Sequence, residues 1–235
     1  MTHVLDKGLS LADVDGLMEV AGDSVDIVKL GWGTALATGN LEPKLARYRE
    51  HGIPVVLGGT LTELAIAQRR LDQLIAFVNR LGLRYFEISD GTIALEHERK
   101  LELIAGLAED FIVLSEVGSK DDTGAITPPY RWVEMMRAEL AAGAWKVIAE
   151  GREAGTAGIF RPTGEVREGL IDEIVHEVDR GRIMFDAPRK HQQVWFIRRF
   201  GPDVNLGNIA ATDVLALETL RLGLRSDTLA IRQRG

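Results

Sequence analysis

A chain of 235 residues, 46% hydrophobic and 27% charged, has the composition of an ordinary soluble globular protein and suffices for one α/β barrel. Its net charge of −7 speaks against nucleic acid or a membrane surface as partner, since both favour a basic face. No cysteine is present, which removes disulfides, thiolate chemistry and cysteine metal sites.

The stretch MTHVLDKG has neither the basic nor the apolar region of a signal peptide, and no apolar run approaches the roughly 18 residues of a membrane span. The expectation is a cytoplasmic protein.

Eight short apolar runs follow one another, each running into a Gly, Asp or Glu. In chain order they are THVLDKG (2–8), VDIVKLGWG (25–33), IPVVLGG (53–59), RYFEISDG (84–91), DFIVLSEVGSK (110–120), AWKVIAEGREAG (144–155), RIMFDAP (182–188) and DVNLGNI (203–209). Between them lie segments with apolar residues three and four apart, the period of a helix packed on one face. LTELAIAQRRLDQLIAFVNRLG reads as one helix, capped by Thr60 and ended by Gly82; GLIDEIVHEVD and TDVLALETLRLG are two more. After the fifth run, DDTGAIT reads as a loop able to act as a lid, and Pro128–Pro129 as the start of a helix. Eight alternating strands and helices without a linker predict an α/β fold, a single (β/α)8 TIM barrel domain over residues 1–235.

In such a barrel the C-terminal strand ends face the site. Those ends carry Asp6 and Lys7, Lys29, Thr60, Glu87 and Asp90, Glu116 and Lys120, Glu150 and Arg152, Asp186 and Lys190, then Asn205 and Asn208. Acids and bases at nearly every strand end exceed what a bare scaffold needs. Glu87, Glu116, Glu150 and Asp6 form a candidate Mg2+ set, a hard cation bound through oxygen. Taken singly, each acid has a competing reading as a salt-bridge partner of Lys29, Lys120 or Arg152. The cations Lys29, Arg152 and Lys190 suit an anion, and Arg152 offers a bidentate fork. Gly207 and Asn208 close the eighth run ahead of a helix, and barrels often bind phosphate at the backbone amides after strands seven and eight. Nucleotide loops of the GxGxxG or GxxxxGK[ST] type open no helix, and the five histidines show no metal-ligand spacing.

The series VLDKG, VKLGWGT, GGTLTELA, EISDGT, SEVGSKD, EGREAG, APRKHQQVWFI and VNLGNI, closing with LETLRLGLRSDTL, resembles the phosphosulfolactate synthase family over residues 3–229. The resemblance implies a Mg2+-dependent carbon–sulfur lyase that adds sulfite to phosphoenolpyruvate, giving (2R)-phospho-3-sulfolactate through a metal-stabilised enolate, and an expected homo-oligomer. It also implies Lys120 as the acid that protonates the enolate, with Lys29 and Arg152 as its catalytic partners. Ser119, Ala154 and Arg189 depart from the family's pattern, in ways that bear on sulfite affinity and the lid. Two alternatives stay open: a non-synthase relative similar to plant heat-stress-associated proteins, and a barrel lyase acting on another enol phosphate.

Overall fold

The computed structural model describes residues 1–118 and 127–229. Eight parallel strands form one sheet: β1 (Thr2–Asp6), β2 (Ile27–Leu30), β3 (Val55–Leu57), β4 (Tyr85–Ile88), β5 (Ile112–Val117), β6 (Lys146–Ala149), β7 (Ile183–Asp186) and β8 (Leu206–Ala210). They hydrogen-bond in the order β3-β2-β1-β8-β7-β6-β5-β4. Each falls on one of the eight apolar runs, as expected, β8 reaching one residue further, to Ala210.

Helices alternate with the strands: α1 (Leu11–Ala21), α2 (Thr34–Ala37), α3 (Leu41–Glu50), α4 (Gly59–Ala67), α5 (Leu71–Arg80), α6 (His97–Leu107), α7 (Pro129–Ala141), α8 (Glu168–Glu177), α9 (Lys190–Phe200) and α10 (Val214–Arg221). The first is entered through a capping box, in which the Ser10 hydroxyl accepts from the Asp13 amide and the Asp13 carboxylate accepts from the Ser10 amide. Pro128 precedes α7 and Pro129 opens it, as their fixed φ favours.

The predicted helix from Thr60 to Gly82 is two helices. Arg69 takes a left-handed backbone (φ 57°), and the Arg70 amide returns to the Ala65 carbonyl at 2.7 Å, ending α4. Thr60 is not its cap; Gly58 stands at that place, whereas Gly82 (φ 67°) does follow the end of α5.

Strands alternate their side chains between helices and barrel interior. Inward, Ile27, Val56, Leu114, Ile148 and Met184 are fully buried and fill the barrel's middle. One step further along the same inward rows come Lys29, Glu87, Glu116, Glu150 and Asp186. The interior therefore changes from apolar to ionic toward the C-terminal strand ends.

Strands β3 and β4 stand at the two ends of the pairing order, and side chains join them there. The Gly59 amide donates to Glu87 Oε1 (2.7 Å), the Thr62 hydroxyl to the Glu87 carbonyl (2.6 Å), and the Ser89 hydroxyl to Glu63 (2.6 Å). The barrel closes across these bonds.

Candidate active site

A cavity of about 510 Å3 opens at the C-terminal strand ends. Lys29, Glu87, Glu116, Glu150, Arg152 and Asn208 line it, with Trp32 at its rim. Six residues chosen from the sequence as candidate ligands are thus gathered in one place, five strands contributing.

Lys29 is buried at the centre, with its Nζ 3.3 Å from Glu87 Oε1. Burial alone would pull its amine down. Glu87, Glu116 and Asp186 outweigh that and hold it above the ordinary lysine range, so it is a fixed cation. Glu87 is pushed up by burial and by Glu116, against the pull of Lys29 and the Gly59 amide. Its second oxygen, Oε2, is buried and takes no hydrogen bond among the described residues. The Glu116 carboxylate lines the cavity and likewise makes no hydrogen bond or ion pair among the described residues.

Spare oxygens on two adjacent-strand carboxylates fit a magnesium ion, which commonly takes one or two protein carboxylates and completes its shell with water and substrate. Among the described residues no group of three His, Asp or Glu converges tightly enough for an all-protein metal cage. Glu87 and Glu116 are thus the residues whose carboxylates could hold such an ion.

Four residues other than glycine have left-handed backbones among the described residues, and three of them border the cavity: Trp32 (φ 53°), Arg152 (φ 51°) and Asn208 (φ 55°). Such conformations cost on the order of 1–3 kcal/mol each and collect where binding or catalysis needs them. At Asn208 the cause is visible. Strand β8 carries an extra residue against β1, Thr2 pairing with Leu206 but Val4 with Ile209. The bulge turns Asn208 into the cavity, where its buried Oδ1 has no partner among the described residues. Each of the three follows a glycine, in GWG, GRE and GNI.

The mouth is bridged from three strands. Lys7 Nζ donates to Glu153 (2.9 Å) and lies 5.1 Å from the centre of the half-exposed Trp32 ring. Thr60, read from the sequence as a strand-end residue, also borders the cavity, as do Glu153 and Thr92, which were not chosen from sequence.

Other expected members lie elsewhere. The Asp6 carboxylate is taken up by Lys44 Nζ (3.0 Å), the Tyr48 hydroxyl (3.1 Å) and the amides of Gly8 and Leu9 (2.7 and 2.8 Å), so it binds β1 to α1 and α3 instead of facing the cavity. Lys190 opens α9 and pairs with Asp227 (2.7 Å) away from the site. Gly207 does not line the cavity; its α-carbon faces Asp186 and His3 inside the barrel. Lys120 and the predicted DDTGAIT lid, apart from Thr127, lie outside the described residues.

A family model described as (2R)-phospho-3-sulfolactate synthase (ComA) matches residues 1–227. The phosphosulfolactate synthase of Bacillus subtilis (strain 168) is 42% identical over 227 residues, covering 96% of this chain and 90% of that protein. That of Methanocaldococcus jannaschii is 43% identical over 235 residues, covering 97% and 93%. Among solved structures, a putative dihydrodipicolinate synthase family protein from Coccidioides immitis aligns with TM-score 0.59 at 11% identity, covering 99% of this chain and 75% of that one. Thiamine phosphate pyrophosphorylase from Pyrococcus furiosus aligns with TM-score 0.55 at 12% identity, covering 94% and 93%. At such identities the likeness is one of barrel fold alone.

Proposed function

Since this chain belongs to the (2R)-phospho-3-sulfolactate synthase family, we propose that it adds sulfite to phosphoenolpyruvate in a Mg2+-dependent reaction, as a carbon–sulfur lyase. The observation that carries this reading is the cavity itself: a fixed buried cation, a guanidinium and two carboxylates with spare oxygens face one space.

In the proposed reaction the sulfite sulfur forms a bond to the methylene carbon of phosphoenolpyruvate. The alkene electrons move toward the carboxylate as an enolate, and the carbon bearing phosphate then takes a proton. No bond to phosphate breaks. Arg152 would grip the phosphate or carboxylate through its planar fork. Lys29 would lie beneath the developing negative charge without needing to reorganise, the arrangement most effective for charge that grows in the transition state. Asn208, turned inward by its bulge, would hold the substrate's polar groups at the β8 side.

Glu87 and Glu116 would hold the magnesium ion, which when bound supplies further positive charge against the enolate. Glu150 lines the same cavity and would orient the site from β6. Lys120 remains our proposed acid; protonation from one face would fix the R configuration.

The locked charge of Lys29 weighs against the alternative lyase reading. Schiff-base chemistry requires a neutral amine, which three neighbouring carboxylates disfavour here. The expected localisation and homo-oligomer stand as part of this proposal; among the described residues no helix is long and apolar enough to cross a membrane.

The test is consumption of phosphoenolpyruvate by purified protein as a function of sulfite and magnesium. Arg152→Ala should raise the KM for phosphoenolpyruvate on the order of tenfold or more, the loss of one charge-assisted bidentate contact. An unchanged KM would remove Arg152 from the anion site.

A further inference from the structure

Asp186 ends β7 fully buried, below the cavity floor and on the inward row of Met184. Among the described residues it has no ion pair within salt-bridge distance. Its Oδ2 accepts one hydrogen bond, from the Gly151 amide at 3.1 Å, and its Oδ1 accepts none among the described residues. Gly151 sits between Glu150 and Arg152, both of which line the cavity.

The surroundings are shaped around this carboxylate. A side chain on Gly207 would begin 2.9 Å from Oδ1 and 3.3 Å from His3 Nδ1, so a Cβ there would force the carboxylate to shift. On the other side, a Cβ on Gly151 would start 3.2 Å from the Asp186 Cβ and collide with the Phe160 ring at 2.3 Å. The turn at 150–152 is thus pressed against β7 at one point, and the hydrogen bond is made at that point. Arg152 follows at once in a left-handed backbone, a conformation that persists only where neighbours over-determine it.

We infer that Asp186 is a positioning residue for Arg152: by accepting from the Gly151 amide across the β6–β7 boundary, it fixes the turn that aims the guanidinium at the substrate anion. The inference rests on the proposed synthase reaction for its kinetic readout. What it needs from residue 186 is the acceptor, not the negative charge. Burial pushes the Asp186 carboxyl up to about 7, with Glu116 adding to it and Lys29 opposing, so a neutral side chain is already compatible with the site near neutral pH.

The test is a double-mutant cycle on steady-state kinetics with phosphoenolpyruvate, sulfite and magnesium, together with hydrogen exchange of the 150–155 segment without substrate. Asp186→Ala should raise the KM for phosphoenolpyruvate about tenfold with kcat within about threefold, the signature of a displaced binding group. In an Arg152→Ala background the same substitution should add no more than about threefold, because the two act through one contact. Asp186→Asn, which keeps an acceptor oxygen, should stay within about threefold of wild type in KM and leave exchange unchanged, whereas Asp186→Ala should speed it. Multiplicative effects in the cycle, or a tenfold KM rise in Asp186→Asn, would overturn the inference. Should Asp186→Ala fail to fold, Asp186→Leu, which fills the space without an acceptor, takes its place: the same KM rise is expected, and a wild-type KM would overturn the inference. A wild type inactive with these substrates would sink the synthase reading instead; exchange in the 150–155 segment unaltered by Asp186→Ala would then sink this one independently.

Discussion

The ionic centre of the barrel hangs on single atoms. Lys29 is opposed by three carboxylates, Glu87, Glu116 and Asp186, so one cation faces more negative charge than it can balance. Burying charge in that proportion is tolerated only if protons or a bound cation make up the difference. Asp186 shows the proton side of this. Its folded value of about 7 lies above the unfolded carboxylate value of 3.8, so the folded state binds the extra proton between them. For a group raised in this way, the contribution to stability is complete below the unfolded value and is lost as pH rises through the folded one. In metal-free buffer, wild-type unfolding free energy should therefore fall relative to that of Asp186→Asn between about pH 5 and about pH 8. Chemical denaturation at both pH values measures it. Parallel curves for the two proteins would show that Asp186 does not titrate in that window.

Whether a residue reaches the site was decided by parity along the strand. Lys29, Glu87, Glu116, Glu150 and Asp186 lie two residues beyond Ile27, Tyr85, Leu114, Ile148 and Met184, on the inward row. Asp6 lies one residue beyond Leu5, which borders the cavity, and so turns outward to Lys44 and Tyr48. Period-two alternation was present in the sequence, but position at a strand end does not reveal it. The left-handed break at Arg69 was not legible, because neither Gly nor Pro marks it and the apolar period runs straight through. The bulge at Gly207–Asn208 arises from pairing with β1, which no local pattern records. In the β6 loop the legible element is glycine. Gly158 has φ 62°, and a Cβ there would fall 1.9 Å from the Glu150 carbonyl, which accepts from the Ile159 amide at 2.9 Å. Gly158→Ala should cost at least about 2 kcal/mol and lower Tm on the order of 5 °C, with activity falling as the Glu150–Arg152 turn shifts. A wild-type Tm in that variant would mean that the loop does not hold the turn.

For the molecule as a whole, the barrel was legible because eight apolar runs each stop at a polar or glycine residue, and that rhythm has few architectural solutions. The bonds that close it were not, since Gly59, Thr62, Ser89, Glu63 and Glu87 meet between β3 and β4 at long sequence separation. The same barrel serves unrelated reactions, as the solved structures of similar fold show, so fold cannot name the chemistry. Function rests on the cavity and on family membership across residues 1–227. The most direct test of the central claim is to incubate the protein with phosphoenolpyruvate, sulfite and magnesium in deuterated water and follow carbon and proton resonances. The proposed reaction gives a new carbon–sulfur bond at the former methylene, one deuterium at the adjacent carbon in a single configuration, and phosphate retained. Release of inorganic phosphate with pyruvate, or phosphoenolpyruvate left intact whatever the sulfite concentration, would contradict it.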